Sequence, residues 1–321
     1  MDLMAPQNKG LPILRVGDIT CQSEKTSWLI ESLWLTGAVG LIGAQPKSCK
    51  TWLGLDMAVS VASGTPCLGR FAVTSPGPVL VYLAEDNLEQ LRRRVDGIAA
   101  SRSLSTAAID LSVITSPLIR LDSDSDQQRL MDTIENLRPR LLLLDPLVRL
   151  HRLDENNARE ISGLLGYLRE VQRRFETAVV LTHHASKRAN ARPGQSLRGS
   201  SDLHAFGDSN IYLRRHDDEV ELTVEHRSAS PMASIRFRLA GSENTTHITL
   251  LDTVKPAPQE ITLNERIISI LAETNETVSR ATLRHRLRVN NQRLGTALTE
   301  LISTGIIVPS PNGLTLKPQR C

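Results

Sequence analysis

Residues Ala38 to Leu55 read AVGLIGAQPKSCKTWLGL, and this stretch restricts the chain more than any other. A short apolar run, Ala38 to Ile42, meets a turn carrying Gly43, Ala44 and Pro46; Lys50-Thr51 then opens an apolar helical pattern. Strand, tight loop and helix in that order are the context of a phosphate-binding loop. Backbone N–H groups at the helix N-terminus converge on an anion, and the helix dipole favours negative charge there. In such a loop Lys50 reaches β- and γ-phosphates and the Thr51 hydroxyl ligates Mg2+, while Lys47 and Ser48 complete the turn. The pattern departs from GxxxxGK[ST] at both glycines, with Ala44 at the first and Cys49 at the second. A Cβ at Cys49 lies where backbone wraps phosphate, which implies strain or weaker binding. A KT pair opening a helix also arises by chance, so the motif needs support from the rest of the chain.

The 321 residues exceed one typical domain and suggest a large domain plus a small one. A net charge of +3 is too small to imply a nucleic-acid partner unless basic residues cluster locally. Aromatics are only 3%, so the core is built from aliphatic residues and few platforms exist for stacking bases. Cys21, Cys49, Cys67 and Cys321 form no CxxC pair, which argues against a zinc site or a disulfide framework. No run approaches the roughly 20 apolar residues of a membrane span, and the N-terminus has no leader pattern. The expectation is a cytoplasmic protein with no membrane partner.

After the first helix, which stops at Ser63-Gly64, PVLVYLA (Pro78 to Ala84) is a near-continuous apolar run suited to a buried parallel strand. It ends in Glu85-Asp86-Asn87, where α/β folds place ligands; Asn87 can cap the next helix without Glu85, which leaves that carboxylate for function. Leu111 to Thr115 reads as a short strand, and the acidic cluster Asp122, Asp124 and Asp126 as a helix start. Arg140-Leu141-Leu142-Leu143-Leu144-Asp145 is a hydrophobic strand ending in a carboxylate, the pattern that holds Mg2+ directly or through water. A long helix to about Phe175 follows, then a strand ending Thr182-His183-His184. The two histidines face opposite ways in a strand, so a γ-phosphate sensor fits better than a metal pair. His183 to Ser201 carries Lys187, Arg188, Arg192 and Arg198 and no acidic residue; it reads as a basic loop. Segments from Asn210 to Leu251 alternate apolar and polar residues, as antiparallel strands do.

Pro256-Ala257-Pro258 marks a linker. Beyond it come three short helical patterns and a two-strand ribbon around Pro309 to Gly313, the order of a winged helix-turn-helix. Its third helix would expose Asn291, Gln292 and Arg293 near its start. Eight Lys/Arg stand against five Asp/Glu between Glu260 and Cys321, with Arg280, Arg284, Arg286 and Arg288 crowded together. Such charges suit phosphate contacts, although a winged helix also packs on protein.

GAQPKSCKTWLGLDMAVSVASG, VLVYLAEDNLEQLRRRV, LLLLDPLVRLHRLDENNARE, VVLTHHASK and LRGSSDLHAFGDSNIYLRR, in that order, resemble the RecA-like ATPase family of RepA-type plasmid replicative helicases. The resemblance covers about Trp28 to Asp252. It implies an α/β fold: a RecA-like P-loop core with a mostly parallel sheet and antiparallel C-terminal strands, to which a small winged-helix domain is added. The corresponding boundaries are an arm at 1–26, the ATPase domain at 27–253, a linker at 254–261 and the winged helix at 262–321. It further implies a ring, usually a hexamer, with ATP and Mg2+ between subunits and single-stranded DNA in the channel. Lys50 and Thr51 would be the Walker A pair, Asp145 the Walker B carboxylate, Glu85 the activator of water and His184 the γ-phosphate sensor. Lys187 to Gly199 would face DNA. An arginine reaching a neighbour's nucleotide is expected near the domain's end, with Arg214, Arg215 and Arg227 as the choices.

Two functions follow. One is an ATP-driven motor or switch acting on DNA in replication or recombination of a plasmid or other mobile element. The other is an ATP-gated DNA-binding regulator or adaptor with little hydrolysis, docking duplex or other replication proteins through the winged helix. Cys49 and the scarce aromatics lean toward the second; nothing resembles the acceptor pocket of a metabolic kinase.

Overall fold

The computed structural model describes residues 13–18, 27–184, 201–230, 232–242, 245–251, 263–274, 277–287, 289–310 and 313–316. The chain divides into two units, Met1–Asp252 and Thr253–Cys321. The expected linker at 254–261 and the basic loop with Lys187, Arg188, Arg192 and Arg198 lie outside the described residues, as does most of the expected arm.

In the first unit a hairpin, β1 (Trp28–Ile30) and β2 (Trp34–Leu35), precedes the main sheet and turns at Ser32 in the left-handed region, φ 60°. The stretch expected only as a short apolar element thus reverses on itself. There follow β3 (Val39–Ala44), α1 (Lys50–Ser63), β4 (Val79–Leu83), α2 (Leu88–Ser101), β5 (Leu111–Val113), α3 (Asp124–Leu137), β6 (Leu141–Asp145), α4 (Ala158–Phe175) and β7 (Ala178–His184). A short helix α5 (Ser201–Phe206) leads to β8 (Ser209–His216), β9 (Glu219–His226), β10 (Ile235–Ala240) and β11 (His247–Leu250).

The sheet runs in the order β11-β10-β9-β8-β3-β7-β6-β4-β5. The six strands from β8 to β5 pair in parallel, and β8 to β11 pair antiparallel. The α/β class with a mostly parallel sheet and antiparallel C-terminal strands is therefore as expected. Alternation explains the all-apolar runs: Leu141 and Leu143 of β6 enter the core shared with α1 and α2, whereas Leu142 and Leu144 enter the core shared with α3 and α4. A strand with helices on both faces has no side for polar residues until it ends. The register aligns those ends, pairing Leu83 with Asp145, Leu144 with Leu181, and Ala44 with both His184 and Leu213.

Gly40 lets β3 approach β8. A Cβ there would stand 1.7 Å from the Ser209 carbonyl oxygen, and Asn210 Oδ1 accepts from Leu41 N–H at 3.1 Å on the same side.

The second unit contains α6 (Leu263–Thr274), α7 (Arg280–Leu287), α8 (Asn291–Ser303) and a ribbon of β12 (Ile307–Ser310) with β13 (Gly313–Leu316). Ser279 caps α7, its hydroxyl accepting from Thr282 N–H at 3.1 Å. Ile267, Leu271, Leu283, Leu287, Leu294, Leu298, Leu301, Ile307 and Leu314 form a core of this unit's own.

Gly40→Ala is expected to lower unfolding stability by about 1–3 kcal/mol or more, because backbone rather than a flexible side chain must move. Chemical denaturation of both proteins checks this; equal midpoints and slopes would contradict it.

Candidate functional site

Helix α1 begins at the carboxyl end of β3 with no side-chain cap: its N-cap residue is Cys49, which makes no capping hydrogen bond. Contrast α2, whose Asn87 Oδ1 accepts from Gln90 N–H at 2.8 Å while Gln90 Oε1 accepts from Asn87 N–H at 3.3 Å. The first N–H groups of α1 are therefore left for an external acceptor, and an anion is the acceptor that the helix dipole favours. Cys49 adopts φ 62°, ψ 22°, and Lys47 φ 61°, both left-handed. A side chain at such a position costs about 1–2 kcal/mol relative to glycine. Burial pushes the Cys49 thiol above its ordinary pKa, opposed by Arg215, Lys50 and Arg94.

Lys50 is 8% exposed, and its ammonium donates to the carbonyls of Ala44 at 3.2 Å and Gln45 at 3.0 Å. Burial draws its pKa below the ordinary lysine value, while the charges of Asp145 and Glu85 act the other way. A cavity of about 410 Å3 opens beside it, lined by Pro46 to Trp52 together with Glu85, Arg94, Asp145, His184, Arg215 and Leu239. Gly43 and Ala44, buried in β3, supply backbone just behind the loop.

Asp145 is 6% exposed. Its carboxylate accepts hydrogen bonds from the hydroxyls of Thr182 and Thr51. Burial nevertheless raises its pKa, against those two bonds and the Lys50 charge, so a further positive charge here would be stabilised. His184 is half-buried; burial, then Lys50 and His183, lower its pKa and favour the neutral ring. Its neighbour His183 faces away, with Nδ1 3.6 Å from Glu155 Oε1, a carboxylate that His151 Nε2 also approaches to 3.6 Å. Glu85 is exposed at the cavity edge, and Arg149 Nε donates to its Oε1 at 2.8 Å. Among the described residues no group of three or more His, Cys, Asp or Glu could hold a metal ion by itself.

Arg215 Nη1 donates to the Lys47 carbonyl at 2.8 Å, so its partner is this chain's own loop. Arg227 is likewise tied within the chain, to the Ala205 carbonyl at 2.6 Å and to Asp208 at 3.4 Å. Arg214 stands opposite Glu221 in the β8–β9 register. Sequence reasoning missed Trp52 and Arg94. The Arg94 guanidinium lies 5.4 Å from the Trp52 ring centroid and pairs with Asp86 at 2.5 Å. Spacing gave a weak signal for it: Arg94 is two helical turns beyond Asn87, on the face that looks back toward the loop. A second cavity of about 400 Å3 adjoins the first, sharing Cys49, Arg215 and Leu239 and adding Asp218 and Arg238. In the second unit Asn291 and Gln292 are exposed at the start of α8, and Arg284 Nη1 donates to Asn291 Oδ1 at 3.1 Å; the Arg293 side chain lies outside the description.

Two outcomes are expected. Cys49→Val, β-branched at a positive φ, should lose about 1 kcal/mol or more of stability while Cys49→Gly loses none; equal thermal shifts for the two would remove the strain argument. Stability should also fall as pH drops from about 7.5 toward 6. Burial lowers the folded-state values of His184 and His226 from the ordinary 6.5, so the unfolded chain takes up protons first. His226→Asn should flatten that slope in thermal unfolding, and an unchanged slope would contradict the assignment.

Residues 5–190, more than half of the chain, match the family model described as AAA domain, AAA_25. The match runs through β7 and ends before α5 and the antiparallel strands. Among solved structures, the chain is similar to a DnaB-like replicative helicase described with its interactions with primase, at TM-score 0.50 and 16% identity over 66% of this chain. It spans 57% of that helicase's length, less than two thirds. It is also similar to the RadB recombinase (TM-score 0.47, 15% identity, 66% of this chain and 90% of that one). The ATPase domain of G40P gives TM-score 0.49 at 17% identity, with 66% of this chain and 84% of that one covered. The chain belongs to the AAA_25 family of AAA domains.

Proposed function

We propose that the first unit binds ATP with Mg2+ and hydrolyses it, and that the chain is an ATP-driven motor or switch acting on DNA. The observation that carries this reading is the convergence at one cavity of the uncapped α1 N-terminus, Lys50 and the buried Asp145–Thr51 pair. Lys50 would exchange the two loop carbonyls for β- and γ-phosphate oxygens. Thr51 and Asp145 fit Mg2+: a hydroxyl bonded to a carboxylate that burial disfavours as an anion, with phosphate oxygens and water to complete six ligands. Bound there, Mg2+ would neutralise the phosphate charge and orient the γ-phosphoryl group.

Glu85 would take a proton from water as the water oxygen bonds to the γ-phosphorus, and the bond from γ-phosphorus to the bridging oxygen breaks with its electrons leaving on ADP. Neutral His184 would hydrogen-bond the γ-phosphate, and Arg94 and Arg215 add positive charge at the cavity wall. The adjoining cavity under β10 offers room for the nucleoside.

DNA is the partner we infer. Lys187, Arg188, Arg192 and Arg198 follow β7, where the RepA-type resemblance places the strand-gripping loop of a ring, usually a hexamer. The second unit, three helices and a ribbon, is read as a winged helix, with Arg284, Asn291, Gln292 and Arg293 presented to duplex or to another replication protein. The switch reading, in which ATP sets assembly with little turnover, draws on the left-handed Cys49 and on the Arg149 bond to Glu85.

The test is steady-state ATP turnover with no DNA, single-stranded DNA and duplex, with particle mass measured in the same nucleotide states. The motor reading expects single-stranded DNA to stimulate turnover and Lys50→Ala to reduce it by about 10²–10³. Turnover no greater than in Lys50→Ala would sink hydrolysis and leave the switch; indifference to DNA would sink the motor.

A further inference from the structure

The Glu85 carboxylate is tied to a residue that no motif supplies. Arg149 lies in the short 3-10 turn Leu147–Arg149, just past Asp145 on β6, whereas Glu85 follows β4, the adjacent strand. The turn is anchored: Arg149 N–H donates to the Pro146 carbonyl at 3.1 Å, and Arg120 Nη1 donates to the Arg149 carbonyl. The backbone of Arg149 is thus held in place while its guanidinium reaches Glu85 through a solvent-exposed bond. The side chains of the pair are 63% and 49% exposed.

We propose that Arg149 is a latch on Glu85, resting on the reading of Glu85 as the residue that activates water. With the pair closed, one carboxylate oxygen accepts a charge-assisted bond and is directed toward the turn after β6. An oxygen so engaged accepts a proton from water poorly, and the carboxylate is drawn from the γ-phosphate position beside Lys50. With the pair open, Glu85 is free to turn into the cavity that it already lines. An exposed pair of this type biases an equilibrium by roughly two- to fivefold, so the latch damps idle turnover without blocking it. Because both partners are exposed, salt weakens the pair.

The test is kcat and KM for ATP, without DNA and at saturating Mg2+, in the full-length chain. Wild type, Arg149→Ala, Arg149→Lys, Glu85→Gln and Lys50→Ala are compared at low and high salt, with thermal unfolding and nucleotide affinity confirming that each is folded. Arg149→Ala is expected to raise kcat about two- to fivefold with KM unchanged. Arg149→Lys should fall between the two. Wild-type kcat should rise with salt, and that of Arg149→Ala should not. An equal or lower kcat in a folded Arg149→Ala overturns the latch, a lower one meaning that Arg149 positions Glu85 for the reaction. Wild-type turnover that survives in Glu85→Gln overturns the role of Glu85 itself, and turnover no greater than in Lys50→Ala for every protein overturns hydrolysis; the latch falls with either.

Discussion

Burial of the parallel strands on both faces is the constraint on which the first unit depends. Leu141 to Leu144, Val79 to Tyr82 and Ala178 to Leu181 are all almost wholly buried, shared alternately between two cores. An unpaired carboxylate or imidazole inside such a layer would cost several kcal/mol, so ionisable groups appear only where the strands run out. Parallel pairing puts those exits along one edge. Asp145, Glu85, His184 and the loop after Ala44 meet there because nothing else in the sheet can hold them.

The loop then departs from regularity in a specific way. An α-helix normally satisfies its first N–H groups with a side chain, as α2 does; α1 does not, and the side chain at its cap, Cys49, sits in a conformation that suits glycine. The local cost is retained at the one helix start that faces Lys50, Thr51 and Asp145. Strain gathered at a ligand site is a frequent arrangement in folded proteins. In the proposed function it bears on the choice between a motor and a switch, because the same backbone would wrap the phosphates.

Much of this was legible in the sequence. The four-leucine run ending in Asp145 announced a two-sided buried strand and its exit, and Asn87 announced the cap that freed Glu85. Contacts between exits were not legible. Arg149 meets Glu85 across 64 residues of sequence, and Arg215 meets the Lys47 carbonyl across 168, in each case because neighbouring strands deliver them to one place. No local pattern encodes such a meeting. The β1–β2 hairpin was missed for a different reason. It turns at Ser32 with a positive φ, without the glycine or asparagine that signals such a turn. Strand β5 stops at Val113, two residues short of the apolar pattern.

The central claim is that the α1 N-terminus, Lys50, Thr51 and Asp145 form one magnesium–nucleotide site. The most direct measurement is an experimental structure of the full chain with Mg2+ and a non-hydrolysable ATP analogue. The account predicts that the Lys50 ammonium leaves the carbonyls of Ala44 and Gln45 for phosphate oxygens, with the cation between Thr51, Asp145 and the γ-phosphate. A nucleotide bound elsewhere, or Lys50 still on its two carbonyls with the analogue present, would contradict it.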